Sequence, residues 1–144
     1  MAEVYRKSMK QYPDKVLVAW GEAMRDNEKI GKWLSANGYP ELISFILSLK
    51  GSEKADKWLF ENGFPEFVAL VEFLNGKKEA AEWLDTHNMT LLKKLGEAVL
   101  EEDGAMQWLA SNGHTSLLIV AQKLRKTLEE VDFDTNDVHK SPFR

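Results

Sequence analysis

The sequence predicts an all-α fold, an α-solenoid of about five short helical hairpins, and three observations carry that prediction. Trp33, Trp58, Trp83 and Trp108 recur at a spacing of 25 residues. Each is followed directly by a leucine: Leu34, Leu59, Leu84 and Leu109. Beyond each pair stands a residue suited to ending a helix, namely Gly38, Gly63, Asn88 and Gly113. A fixed period of this kind marks a repeat architecture. One such unit cannot bury its apolar face alone, so the units must stack.

The clear units run over residues 27–51, 52–76, 77–101 and 102–126. In the first helix of the second unit, Ala55, Trp58, Leu59 and Asn62 fall at i, i+3, i+4 and i+7, on one helical face. The same spacing relates Ile30, Trp33, Leu34 and Asn37, and again Ala105, Trp108, Leu109 and Asn112. That face is expected to meet the core, which makes the tryptophans a buried spine. Replacing one by alanine is then expected to cost about 3–5 kcal/mol.

Glycine and asparagine enter the left-handed conformation cheaply, as a helix C-terminus commonly requires. Tyr39, Phe64, Met89 and His114 come next, and Leu34 and Leu59 lie five residues before Tyr39 and Phe64. That is the spacing of the apolar contact in a Schellman ending. Pro40 and Pro65 then suit the first turn of a second helix, with Glu41 and Glu66 near its positive end. Thr90 and Thr115 are expected to serve as N-caps in the later units. The second helix carries Leu42, Phe45, Ile46 and Leu49, matched by Phe67, Leu70, Val71 and Leu74. Gly51 and Gly76 close it, and Ser52 suits the N-cap of the next first helix.

The ends keep the register less well. Residues 2–26 read as a degenerate hairpin with Tyr5, Met9, Leu17, Trp20 and Met24 on core slots, but Ser8 replaces the tryptophan and Pro13 the glycine. Phe133 reaches the tryptophan slot of a closing helical fragment, 127–134. One domain over 1–134 is expected, with 135–144 as a flexible tail. The expected shape is a short right-handed or weakly curved stack.

Composition narrows the function classes. At 44% hydrophobic and 29% charged residues, the chain has the make-up of a globular protein. No apolar run approaches the roughly 18 residues of a membrane span. The start lacks a secretory h-region, so a cytoplasmic location is expected. Zero cysteines remove disulfides, thiolate ligands and cysteine nucleophiles. A net charge of −4 does not favour a polyanionic partner.

Over residues 2–133 the pattern resembles α-hairpin solenoids as a class. In period it is similar to leucine-rich-variant repeats, which share the "AN", turn and Pro-Glu helix start. The Val-Arg element of those repeats is missing here, and without cysteine the resemblance implies no iron–sulfur chemistry.

No catalytic, cofactor-binding or metal-binding residues are expected. His87 and His114 lie in turns of neighbouring units and, with His139, fall short of the ligand set zinc takes. The phosphate-binding glycine loop and an ordered Ser-His-Asp set are absent from the sequence. Leu47 and Phe73 add apolar character outside the minimal core stripe, beside a third unit that carries Lys93 and Gly96 where Ile43 and Ile46 stood. This points to a non-catalytic protein–protein interaction or scaffold module, with Leu47 and Phe73 as partner-binding candidates. The alternatives are nucleic-acid binding through a lysine-rich side that includes Lys93 and Lys94, and a homo-oligomeric structural role such as a homodimer.

Overall fold

The computed structural model describes residue 9 and residues 12–135, with side chains as far as residue 131. Tyr5, Ser8 and the tail 136–144 lie outside the described residues, as does the side chain of Phe133. Nine helices and no strand occur among the described residues: α1 (Asp14–Met24), α2 (Glu28–Ala36), α3 (Pro40–Leu49), α4 (Glu53–Glu61), α5 (Pro65–Leu74), α6 (Lys78–Thr86), α7 (Thr90–Val99), α8 (Ala105–Ser111) and α9 (Thr115–Thr135).

The helix stops form as the spacing predicts. Gly38, Gly63 and Gly113 have φ of 95°, 85° and 79°, and Asn88 takes 59° in the same slot. The amide after each reaches back to the leucine carbonyl: Tyr39 to Leu34 (2.9 Å), Phe64 to Leu59 (2.8 Å), Met89 to Leu84 (2.9 Å) and His114 to Leu109 (2.8 Å). That is the long bond of the Schellman motif. Pro40 and Pro65 open α3 and α5. Ser52 caps α4 by accepting from the Ala55 amide, and Asn27 does the same for α2 through Ile30. The threonines do not cap. Thr90 is the first residue of α7 and Thr115 the first of α9, the slot proline holds elsewhere, and the α7 N-cap is Met89 without a side-chain bond.

The hairpins stack in sequence, but the expected weak curvature is overturned. α3 packs on α5, α5 on α7 and α7 on α9, and α1 packs on both α3 and α9. The odd-numbered helices thus form a closed inner ring of five. Outside it, α2, α4, α6 and α8 each touch the two inner helices that flank them in sequence. The centre is filled by one slot of the 25-residue register: Trp20, Phe45, Leu70, Leu95 and Val120 all have zero exposure. Trp20 meets Phe45 and Phe67 edge-on at 5.4 and 6.0 Å between centroids. Its indole N–H donates to the Leu42 carbonyl at 3.1 Å, so its one polar atom is satisfied.

Polar contacts fasten the seam where the ends meet. Arg25, just past the end of α1, forks onto both Glu130 oxygens at 2.9 and 2.8 Å and also reaches Thr127 Oγ1 at 3.1 Å. The buried Thr127 hydroxyl lies 2.8 Å from the Lys123 carbonyl and 3.2 Å from that of Met24. Lys123 pairs with Glu22 at 3.2 Å.

Adjacent inner helices share space by matching large with small residues. A Cβ on Gly96 of α7 would stand 2.7 Å from two ring carbons of Phe73 on α5. A Cβ on Gly21 of α1 would stand 3.2 Å from Cγ of Lys123 on α9. The same register pairs Ala23 with Ile46, Ser48 with Val71 and Ala98 with Ala121. The expected exposure of Phe73 is therefore corrected. It is only 8% exposed, because Gly96 makes room for its ring, and the third unit is closely packed there.

Gly96→Val is expected to destabilise the chain by about 1–3 kcal/mol through overpacking. Phe73→Ser is expected to cost about 3–5 kcal/mol, like other large-to-small core changes. The double variant, which copies the Ser48–Val71 pair, should lose clearly less than the sum of the two. Urea denaturation of all four proteins checks this, and strict additivity would contradict the contact.

Candidate functional site

Trp33, Trp58, Trp83 and Trp108 lie on the outer helices and are not a fully buried spine: Trp58, Trp83 and Trp108 pack against the core from its edge, and Trp33 is exposed. Each precedes the leucine that points into the core, and one residue turns a helix side chain by about 100°. Leu34, Leu59, Leu84 and Leu109 are therefore fully buried, whereas Trp33 is 42% exposed and the other three indoles are half-buried. Asn37, Asn62 and Asn112, placed by their spacing on the core face, are exposed. Each donates its side-chain amide to the carbonyl of the tryptophan four residues earlier at 2.8 Å. Three of the indoles stack on a ring from the following turn. Trp58 lies on Phe64 at 6.2 Å, Trp83 on His87 at 3.8 Å and Trp108 on His114 at 6.0 Å.

The lysine candidates already have partners. Lys93 Nζ lies 2.7 Å from Asp85 and 3.7 Å from Glu97, and the Asp85 hydrogen bond holds its pKa above the ordinary lysine value. Lys94 lies 3.2 Å from Glu97 and 5.5 Å over the Trp108 ring, a cation–π arrangement. The two ammonium groups are engaged with acids and an indole, not aligned as a free stripe.

Leu47 is 48% exposed on α3, whereas Phe73 is buried. The residue that spacing missed is Phe60 on α4, 59% exposed. Its slot holds Ser35, Asp85 and Ala110 in the other units. An aromatic in a slot otherwise polar or small was the available signal.

Beside the N-terminal ends of α3 and α5, Tyr12 donates a hydrogen bond to Glu41 Oε2 at 2.5 Å, and both residues are buried. Glu66 is buried as well. Sequence alone placed these glutamates by their helix ends and missed their burial, which depends on Tyr12 coming from 29 residues away. Burial, the Glu41 bond and the nearby Glu66 charge all push the Tyr12 phenol well above its ordinary value of 10.0.

His87 and His114 are both committed to tryptophan stacking, and no cluster of three or more metal-ligating side chains occurs among the described residues. No helix there is long and apolar enough to cross a membrane. Comparison of the chain with family models, with curated proteins and with solved structures gives no match.

Two expectations follow. Leu34→Ala should cost about 2–5 kcal/mol and Trp33→Ala less, as read from thermal and urea unfolding; a larger loss from Trp33 would restore the buried-spine reading. Because Tyr12 holds its proton more tightly when folded, its contribution is complete below pH 10 and falls as the pH rises beyond it. Tyr12→Phe should lower stability at pH 7 by about 1.5–3 kcal/mol and flatten the decline between pH 10 and 11. An unchanged slope would show that Tyr12 does not set it.

Proposed function

We infer that the ring is a non-catalytic protein-interaction module that engages its partner through the surface of α2, α3 and α4. Trp33, Leu47 and Phe60 are all more than two-fifths exposed and lie on these three consecutive helices. The observation that carries the reading is that two of them break a polar or small-residue pattern. Leu47 occupies a slot held elsewhere by Glu22, Glu72, Glu97 and Gln122, and Phe60 one held by Ser35, Asp85 and Ala110. A single exposed apolar residue is ordinary, but several on adjoining elements of a rigid scaffold favour docking of another protein. The packed inner ring supports the reading too, because a rigid face loses little conformational freedom on binding.

The test is capture of binding proteins from a lysate on the tagged intact chain, with parallel nuclease and high-salt treatments. A discrete protein should survive both treatments and be lost with Phe60→Asp or Leu47→Asp, while helicity and melting temperature stay near those of the unsubstituted chain. Retention by both variants would remove the reading. Recovery of nucleic acid alone, released by salt, would favour the lysine-side alternative. Concentration-dependent sedimentation with no other ligand would favour self-association.

A further inference from the structure

Helix α4 separates two flanks of opposite charge, and contacts in the later units show which slot turns to which flank. Trp108 on α8 stands 5.5 Å from the ammonium of Lys94 on α7, the inner helix that precedes it. Asp85 on α6 pairs at 2.7 Å with Lys93 on α7, the inner helix that follows it. In α4 the first slot is held by Trp58 and the second by Phe60, so Trp58 turns toward α3 and Phe60 toward α5. Lys54, four residues before Trp58, shares its face. Glu79 stands in the same relation to Trp83 on α6.

One period of 25 residues converts the surface on the α3 side into that on the α5 side. Leu47, Lys54 and Lys57 become Glu72, Glu79 and Glu82, and all six are exposed. Lys54, Glu72, Glu79 and Glu82 form no ion pair among the described residues. Lys57 pairs only with Glu61, at 3.8 Å and well exposed, which contributes little. Lys78, the base nearest to Glu79 in sequence, is seven residues before Asp85 and turns with it toward α7. Phe60, at 59% the most exposed large apolar side chain among the described residues, stands on α4 at the border of the two flanks. Opposite charges on either side of an exposed aromatic make a self-complementary patch, as an isologous two-fold contact requires.

We propose that this surface pairs with a second copy of the chain across a two-fold axis running along α4. Rotation about that axis exchanges the flanks and keeps their height. Slots one period apart stand level in the ring, so Lys54 of each copy meets Glu72 and Glu79 of the other. Phe60 and Leu47, on either side of the axis, lose their exposure together. The charges set register and orientation, and the apolar groups supply the burial. The inference rests on the interaction-module reading, because it uses Leu47 and Phe60, and it names the partner that this surface fits.

Sedimentation of the full 144-residue chain from micromolar to millimolar concentration, at low and at high salt, tests it. A reversible monomer–dimer equilibrium that weakens with salt is expected. Lys54→Glu makes both flanks acidic, and Glu72→Lys with Glu79→Lys makes both basic. Each variant alone should raise the dimer dissociation constant at least about tenfold, the scale of like charges set face to face. All three positions are exposed, so the melting temperature should hold. Mixed in equal amounts, the two variants should form a heterodimer, because both contacts are then restored with reversed sign. A monomer at every concentration, a dimer indifferent to the substitutions, or no association on mixing would overturn the proposal. Capture of a different protein, lost with Phe60→Asp, by a chain that stays monomeric keeps the module reading and removes this one.

Discussion

The architecture depends on one local constraint, the forced end of each outer helix after about two to two and a half turns. A left-handed residue there reverses the chain, and the amide that follows is tied to the carbonyl of a leucine fully buried in the core. One bond thus fixes the position of the leucine, the angle at which the next helix departs and the placement of its first turn. Four repetitions of nearly the same corner give four nearly identical hairpins. Identical wedges stacked in order must curve, since each outer helix lies across the groove between two inner ones and widens the periphery relative to the centre. Here the curvature suffices for α9 to return to α1.

Closure changes what holds the chain together. In an open repeat array each unit contacts only its neighbours, and the terminal units need special caps. In this ring the first and last inner helices cover each other, fastened by Arg25, Thr127 and Glu130. The centre is shared by all five inner helices. Trp20, from the least regular unit, is the largest side chain there, and its contact with Phe67 crosses from α1 to α5. The degenerate hairpin therefore supplies the piece that fills the middle.

Local features were legible in the sequence because they rest on short spacings. The helix stops, proline starts, the Ser52 cap and the core slots of the second helices all depend on residues within about five positions of one another. The Trp-Leu pair was read with its two members merged, since a period of 25 cannot say which of two adjacent apolar residues points inward. Only packing against the inner helices decides that, in favour of leucine. Phe73 was misplaced for a related reason: its burial needs the absence of a side chain at Gly96, and a missing side chain looks like looseness until the facing residue is known. Ring closure and the Tyr12–Glu41 bond join elements through contacts that no periodic signal encodes.

A near-symmetric scaffold makes its exceptions readable. Slots repeated around the ring serve the packing common to all units, so a residue that breaks its slot without serving that packing answers to another demand. Gly96 breaks its slot and is explained by Phe73; Gly21 breaks it and is explained by Lys123. Leu47 and Phe60 have no such internal explanation. The order α1, α3, α5, α7, α9 places α3 across the ring from the α7–α9 edge. Leu47 and Phe60, on α3 and α4, thus stand on the side of the ring away from that edge. That separation is a geometric property of a five-membered ring.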